Sequence, residues 1–295
     1  MGSFNEDDIP WDQFRVDEED VEWGEFRAWL SNQELSERTV RERLRYARKY
    51  LEVLMDLSTL GNYSPSKRDH IRKALISLSK FLGLYPELKQ ALKNSGIKWS
   101  RTSSVDSFLR IMGASNQEED LLEWLEKARG CIGKPSLSTL LKFAALTGLR
   151  KAEAIASFNQ IISLSQERGG LEQYYDPEKG ALEHYKYPEE FLRTTKNVFF
   201  SLVPEELLEE IAASEPVTYE MVRKRLYRRG MNVRIDELRD HWGTFMLDHG
   251  LIKEEVDLLQ GRVGKSIFVR HYWSPAITEL RDRVFKALEQ LRTEL

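Results

Sequence analysis

Three arginines and one tyrosine stand in contexts that could bind and attack a phosphate group. Arg150 comes two residues after a glycine in TGLRKAE, Arg239 lies in LRDHWGT, and Arg262 directly follows a glycine in LLQGR. Tyr272 comes ten residues after the last arginine, in FVRHYW. A guanidinium group stays protonated and matches two phosphate oxygens with parallel N–H donors. Each residue alone has an ordinary interpretation, as a surface cation or a core tyrosine, but the ordered set indicates chemistry.

Two short stretches concentrate positive charge, although the whole chain has a formal net charge of -4. They span residues 36–50 and 223–234. Clustered Lys and Arg side chains favour duplex DNA because they release the counterions condensed on its phosphates. A solvated helix face is the other interpretation of each stretch. The residues predicted to contact DNA are Arg38, Arg41, Arg45, Arg48, Arg225, Arg228 and Arg229.

The composition limits the class of protein. With 295 residues, 41% hydrophobic and 31% charged, the chain is long enough for two domains and too apolar for disorder. Its single cysteine, Cys131, excludes an intrachain disulfide and a zinc site of several cysteines, and predicts a reducing compartment. Residues 1–20 predict an acidic, flexible N-terminus without signal-peptide features, and no apolar run approaches the roughly 18 residues of a membrane span. We therefore expect a cytoplasmic protein without a structural metal.

Helical periodicity predicts a small all-helical domain over residues 21–95. A turn-rich connection, LGNYSPS, follows its second helix. The predicted helices are about 21–33, 37–57, 66–83 and 86–94. Residues 96–116 are polar and poor in periodic apolar positions, and they predict a linker with one short element near 105–113.

The second domain is predicted to cover residues 117–295 and to be mainly α with a small β-sheet, an α+β fold. Two segments, FNQIISL and FLRTTKNVFFSLVP, favour β structure, the second as a hairpin that turns at Lys196 and Asn197. Residues 167–190 contain three glycines and two prolines and predict a long loop. The predicted helices are about 117–130, 136–147, 151–156, 204–213, 218–229, 236–249, 253–259 and 276–292.

The four segments described first, with a lysine hairpin between the first two, resemble the boxes of the tyrosine recombinase (phage integrase) family. An arginine directly after the glycine of LLQGR is most similar to integrases of spindle-shaped archaeal viruses and related plasmids. The resemblance covers residues 117–292 as the catalytic domain. Residues 21–95 are similar to the helical core-binding domain that precedes it in this family.

The resemblance implies a role for each residue in cleaving and rejoining DNA strands. Arg150, Arg239 and Arg262 would neutralise the charge that develops on the non-bridging phosphate oxygens. Tyr272 would form a covalent 3'-phosphotyrosine, which conserves the bond energy, so neither ATP nor a metal ion is required. Glu153 would hold Arg150 from the same side of the helix.

The departing 5'-oxygen needs a proton, and the sequence leaves its donor open. Lys196 in the hairpin is the first candidate, because a lysine held against phosphate could donate the proton. Lys186 is the second candidate. The other interpretation of Lys196 is a plain exposed turn lysine.

The second arginine box departs from the commoner bacterial members of the family, which carry a histidine three residues before the arginine. Asp236 occupies that position here and cannot supply positive charge. Beside a phosphate, its carboxylate would be repulsive unless it is neutralised or turned away. Residues that could supply the missing charge are His241, Arg234 and His271.

We predict a site-specific recombinase that closes as a clamp on double-stranded DNA and integrates or excises a mobile element. Recombining two duplexes involves four strand cleavages, which implies a homotetramer on DNA. The C-terminal helix has one apolar face and is either exchanged between protomers or packed on its own domain. The alternative functions are DNA relaxation, as by a type IB topoisomerase, and DNA binding without cleavage by a protein derived from a recombinase.

Overall fold

The computed structural model describes residues 16–97, 105, 108, 115–193, 196–262 and 276–294. The chain divides into two units, Met1–Leu109 and Arg110–Leu295, each with its own hydrophobic core. The described residues are mainly helical with one small three-stranded sheet, so the predicted fold class is confirmed. Within the described part of the chain, no helix is both long enough and apolar enough to cross a membrane.

The first unit is built from helices that pack around α3. They are, in chain order, Trp23–Ser31 (α1), Glu37–Lys49 (α2), Pro65–Phe81 (α3) and Tyr85–Asn94 (α4). Each of α1, α2 and α4 packs against α3, so α3 carries the apolar centre of the unit. Phe26 and Leu30 of α1 meet Leu75 and Leu78 of α3 in this core, where all four side chains are fully buried.

Helix α2 is shorter than the sequence pattern predicted. It begins where the Ser36 hydroxyl accepts a hydrogen bond from the Thr39 N–H at 3.3 Å. The chain leaves the α-helix after Lys49, and two 3-10 turns, Leu51–Leu54 and Leu57–Asn62, replace the predicted helix to residue 57. These turns bury leucines closely spaced along the chain, so tertiary packing favours the tighter winding even though no glycine or proline marks the break.

The second unit is organised around one buried helix, α6. Its helices are Ser115–Cys131 (α5), Pro135–Thr147 (α6), Lys151–Ser165 (α7), Pro188–Phe191 (α8), Glu205–Ala212 (α9), Tyr219–Arg228 (α10), Ile235–Asp248 (α11), Lys253–Leu259 (α12) and Ile277–Glu294 (α13). Helices α5, α7, α9, α11 and α13 all contact α6. Because α6 is enclosed on nearly every side, it provides a rigid base for the segments that leave its C-terminal end.

Helix α7 includes the FNQIISL segment that the sequence analysis assigned to β structure, and that prediction was wrong. Phe158, Ile161 and Ile162 are buried at helical spacing in the core of the unit. The Phe158 ring lies 6.2 Å from the ring of Phe143 on α6. Packing along this face outweighs the weak preference of β-branched residues for strands.

The sheet is antiparallel in the order β1–β2–β3. Its strands are Tyr175–Asp176 (β1), Ala181–Leu182 (β2) and Ser201–Leu202 (β3). Tyr175 pairs with Leu182, and Ala181 pairs with Leu202. Residues 167–190 therefore contain two strands and the start of α8, and the prediction of one long loop was wrong there.

The predicted hairpin is reduced to a tight reversal of the chain. Leu192 and Asn197 form an isolated antiparallel bridge, and the Val198 N–H donates to the Phe191 carbonyl at 3.2 Å. Beyond the bridge the chain continues to β3, which pairs with β2 instead of the segment before the turn.

A buried polar chain connects the sheet region to α7. The Tyr174 hydroxyl lies 3.0 Å from Ser157 Oγ and 2.6 Å from His184 Nδ1, while His184 Nε2 lies 2.8 Å from Ser201 Oγ. These bonds satisfy both ring nitrogens of a neutral imidazole. Burial lowers the pKa of His184 to about 3.

Helix α13 lies on the core of its own unit. Leu280, Val284, Leu288 and Leu291, which form one face of the helix, are buried there. This is the second of the two arrangements that the sequence left open for the C-terminal helix. Exchange of the helix between protomers on DNA stays a prediction.

Candidate active site

Arg150 is placed by a tight connection between α6 and α7. Gly148 ends α6 with φ +60°, and a Cβ at this position would lie 2.6 Å from the Trp242 ring. Glycine is therefore required here for the left-handed backbone and for space. Two residues later, Arg150 has extended backbone and directly precedes α7.

A buried carboxylate holds the Arg150 side chain. Arg150 Nη1 donates to Glu153 Oε1 at 2.6 Å, and the Arg150 backbone N–H donates to Glu153 Oε2 at 3.1 Å. Arg193, from the segment before the chain reversal, donates to the same Oε1 at 3.3 Å. The Glu153 side chain is fully buried, whereas 23% of the Arg150 side chain is exposed. Glu153 thus orients the guanidinium and leaves part of it accessible.

Arg239 is buried and bound to backbone carbonyls. Its Nη1 donates to the Gly148 carbonyl at 2.8 Å, and its Nη2 donates to the Gln260 carbonyl at 2.7 Å. Burial, together with the nearby charges of Arg150 and Arg262, lowers the pKa of Arg239 to about 10. The guanidinium is still protonated at neutral pH, because this pKa remains well above 7.

Arg262 follows a glycine that packs against the chain reversal. Gly261 has φ +68°, and a Cβ there would lie 1.8 Å from the Asn197 carbonyl oxygen. Arg150 Nη1 donates to that same oxygen at 3.3 Å. The end of α12, the chain reversal and the start of α7 therefore meet at Asn197. Half of the Arg262 side chain is exposed.

Lys196 is adjacent to this meeting point, and Lys186 has a different environment. Lys196 immediately precedes Asn197 and is exposed. Lys186 Nζ lies 2.5 Å from Glu183 Oε2, which raises the pKa of Lys186. Proton donation from Lys186 is therefore harder, since its partner stabilises the charged form. Tyr272 and His271 lie outside the described residues.

Asp236 is paired with a lysine beside the arginine cluster. Lys151 Nζ lies 2.5 Å from Asp236 Oδ2. Of the residues considered as substitutes for a cation at position 236, Arg234 forms ion pairs with Asp120 and Glu237, both at 2.7 Å. His241 is buried, with its ring 6.0 Å from that of Phe245.

The comparison with known families concerns the unit that holds this cluster. Residues 115–288 match the family model described as archaeal phage integrase. The chain belongs to this family. The predicted family is thereby confirmed, and a general function in site-specific DNA integration or recombination follows from it. No individual curated protein matches the chain.

Three residues of this integrase that lie next to the cluster or contact it were not predicted from the sequence: Lys151, Gln260 and Arg193. Lys151 and Gln260 lie inside the quoted motifs, so their position next to Arg150 and the LLQGR glycine was a usable signal. Gln260 accepts from Arg239 through its carbonyl and donates from Nε2 to the Arg239 carbonyl at 3.0 Å. Arg193 carries no such signal, because its contact to Glu153 joins positions forty residues apart.

The first unit of the integrase lies outside the matched range and carries a basic groove of about 510 Å³ on its surface. The groove is lined by Arg27, Arg41, Leu44, Arg45, Arg48 and Lys49. Arg41 and Arg48 form exposed ion pairs with Glu37 and Glu18, at 3.6 and 3.5 Å. Such exposed pairs are weak and exchange readily for phosphate. Arg38 is exposed on the same helix, α2.

The second basic stretch of the integrase divides into two kinds of arginine. Arg225 Nη1 donates to the carbonyls of Ile132 and Gly133 at 3.2 and 3.4 Å, just beyond the end of α5. Arg228 and Arg229 are exposed at the end of α10. The geometry therefore gives Arg225 a structural contact and leaves the other two side chains facing solvent.

Proposed function

We propose that this integrase is a site-specific recombinase that cleaves and rejoins DNA through a covalent bond to Tyr272. The observation that supports this proposal is the convergence of Arg150, Arg239 and Arg262 from three segments far apart in sequence, which the contacts of Arg239 with Gly148 and Gln260 and the contacts at the Asn197 carbonyl bring together. Bringing like charges together is unfavourable in the free protein. A phosphodiester with its developing negative charge compensates for that repulsion.

In the proposed reaction, the Tyr272 hydroxyl oxygen attacks the scissile phosphorus. A tyrosine O–P bond forms while the bond from phosphorus to the 5'-oxygen breaks, which leaves a 3'-phosphotyrosine and a free 5'-hydroxyl. The three arginines stabilise the charge on the non-bridging oxygens. Attack by the 5'-hydroxyl of a partner strand reverses the step and releases Tyr272.

Recombination between two DNA duplexes requires four strand cleavages. Each cleavage uses one active site, so four protomers act together on the two duplexes. We assign duplex binding to the second unit together with the basic groove of the first unit, residues 21–95, as its core-binding domain. The groove supports this because its cations are exposed and their carboxylate partners are weakly held. The implied process is the integration or excision of a mobile element.

A duplex with a nick near the cleavage site tests the nucleophile. After cleavage the short fragment that carries the 5'-hydroxyl diffuses away, so the strand cannot be rejoined and the covalent adduct accumulates. We expect the wild type to form an adduct on a denaturing gel, whereas Tyr272→Phe binds DNA equally well and forms none. Tyr227→Phe is the matched control, since Tyr227 is 82% exposed on α10.

Adduct formation by Tyr272→Phe would contradict the assignment of the nucleophile. DNA binding by the wild type without any adduct would favour the alternative of a binding protein without cleavage. Relaxation of a supercoiled plasmid that carries a single site, without exchange between paired sites, would favour the topoisomerase-like alternative.

The proton donor is proposed to be Lys196, because it adjoins the Asn197 carbonyl that Arg150 contacts. Lys196→Ala should slow adduct formation by about a hundredfold or more. A substrate with sulfur in place of the bridging 5'-oxygen should restore the rate, because a thiolate leaves without a proton. The same substrate should not rescue Arg150→Ala. Rescue of Lys186→Ala instead would assign the proton to Lys186.

A further inference from the structure

The ion pair between Lys151 and Asp236 joins α7, which Arg150 directly precedes, to α11, which carries Arg239. Lys151 is the first residue of α7 and directly follows Arg150. Asp236 lies in the first turn of α11, three residues before Arg239 and therefore on the same side of that helix. Lys151 Nζ is also 5.2 Å from the centre of the Tyr219 ring. The ammonium group is thus held from two directions at the edge of the arginine cluster.

Stability does not account for this pair. The side chains of Lys151 and Asp236 are 34% and 64% exposed, and an ion pair this open to solvent contributes little to stability. A lysine in the first turn of a helix is also unfavourable, because it faces the positive end of the helix dipole. The two effects oppose each other, so folding gains little from the ion pair itself.

The pair of Arg150 with Glu153 differs from the pair of Lys151 with Asp236 in how firmly the cation is held. Arg150 is held by Glu153, which is fully buried and has little freedom to move. Lys151 is held by a carboxylate that is mostly in water, and an ammonium group has three N–H donors. Asp236 can accept from one donor while another donor binds a phosphate oxygen. The lysine also offsets the repulsion between Asp236 and a DNA strand.

We propose that Lys151 is a further DNA-phosphate ligand of the active site and that Asp236 is the residue that positions it. This proposal rests on the proposed binding of DNA at the arginine cluster. Lys151 binds a phosphate oxygen and does not transfer a proton, so Lys196 remains the proposed proton donor.

The phosphate contact is tested by the salt dependence of binding to intact duplex DNA carrying the integrase's site, measured by fluorescence anisotropy with the full chain. Removing one contact should reduce the slope of log Kd against log salt concentration by about one. We expect this change for Lys151→Met and expect Lys151→Arg to retain the slope. The matched control is Lys142→Met, because Lys142 is a partly exposed lysine of the same unit, paired with Glu210 at 2.6 Å. An unchanged slope for Lys151→Met would show that Lys151 does not contact a DNA phosphate.

The positioning role of Asp236 is tested by Asp236→Asn, with Glu210→Gln as its control. Loss of a negative charge beside the strand should offset the weakened lysine contact, so DNA affinity should change little. Loss of the lysine's partner should still slow adduct formation on the nicked duplex by about tenfold. A faster rate together with stronger binding would show that Asp236 only repels DNA, which would refute its positioning role.

The two proposals fail in different ways. If the wild type forms no adduct, the cleavage proposal is wrong, and the salt slope still decides whether Lys151 binds phosphate. The role of Asp236 is then tested by the salt dependence of DNA binding by Asp236→Asn. If Asp236 positions Lys151, this variant should show the same reduced slope of log Kd against log salt concentration as Lys151→Met. Thermal unfolding of each variant separates these effects from loss of folding, since the exposed pair should change Tm little.

Discussion

Arg239 is positioned by backbone carbonyls that belong to the ends of two helices. It donates to Gly148 at the end of α6 and to Gln260 at the end of α12. Carbonyls at a helix C-terminus lack partners within the helix and carry partial negative charge. The Arg239 guanidinium supplies both the missing hydrogen-bond donors and a compensating positive charge. One arginine therefore couples the TGLR and LLQGR segments directly.

Replacing Glu153 should disturb the orientation of the Arg150 guanidinium while the positive charge of Arg150 remains. Glu153→Gln keeps the shape of the side chain but removes the carboxylate that Arg150 and Arg193 share. We expect the free energy of unfolding to fall by about 2 kcal/mol, less than for a fully buried pair because both arginines are partly exposed. Adduct formation should slow by roughly tenfold to a hundredfold because Arg150 loses its orientation.

The matched control for this prediction is Glu255→Gln. Glu255 accepts from the backbone N–H that precedes α12 and pairs with Arg283, so its local arrangement repeats that of Glu153 away from the arginine cluster. Its loss should lower stability by a similar amount and leave the adduct rate unchanged. Equal slowing by both variants would show that Glu153 acts only through stability.

At the scale of elements, the site depends on how helices end. Gly148 and Gly261 both adopt positive φ, and in each case the space that a Cβ would need is filled by another segment. The helix ends can thus approach α11 and the chain reversal more closely than any other residue type would allow. That close approach brings Asn197 within reach of Arg150.

Gly261→Ala should separate the end of α12 from the chain reversal. A Cβ would lie 1.8 Å from the Asn197 carbonyl oxygen, so residues 196–198 must shift. We expect adduct formation to slow by about a hundredfold, because Lys196 and Arg150 move relative to Arg262. Gly250→Ala is the control, since Gly250 has φ +94° with open space around the position of a Cβ.

Both glycine variants carry the strain of a left-handed alanine, about 1–2 kcal/mol. The difference between them in the adduct rate therefore isolates the close approach. A rate for Gly261→Ala equal to that of Gly250→Ala would mean that the chain reversal does not position the site.

At the scale of the whole molecule, charge is distributed unevenly between the surface and the interior. The net charge of -4 conceals exposed basic side chains in the first unit and a partly buried arginine cluster in the second. The interior of the second unit also holds a titratable group, His184, in its neutral form. Stability of this unit should therefore depend on pH through a residue outside the arginine cluster.

His184 has a pKa of about 3 in the folded protein, below the ordinary histidine value of 6.5. Between these values the unfolded chain takes up a proton that the folded unit cannot accept. The stabilisation by neutral His184 is therefore complete above pH 6.5 and is lost progressively as the pH falls towards 3. The expected slope is at most about 1.4 kcal/mol per pH unit.

Denaturant unfolding at pH 7, 6 and 5 measures this slope. His184→Gln should be less stable at pH 7 and show a flatter pH dependence, because it removes the titrating imidazole from the buried chain. His249→Gln is the control, since His249 lies exposed at the end of α11. An identical slope for the wild type and His184→Gln would refute the prediction.

The sequence by itself determined the helical class, the family and the residues of the arginine boxes. Helical periodicity and breaker residues specify helices such as α6, α10 and α12 almost to the residue, because the pattern and the caps are local properties. The glycine before Arg262 and the one in TGLR predict helix ends for the same reason.

Tertiary structure decided the remaining features. FNQIISL became the end of α7 because its apolar residues meet the core at helical spacing, and the loop before the hairpin became strands because β3 was available to pair. The contacts of Lys151 with Asp236 and of Arg193 with Glu153 join positions 85 and 40 residues apart. Local sequence patterns contain no information about such pairs, because packing between helices sets the distances.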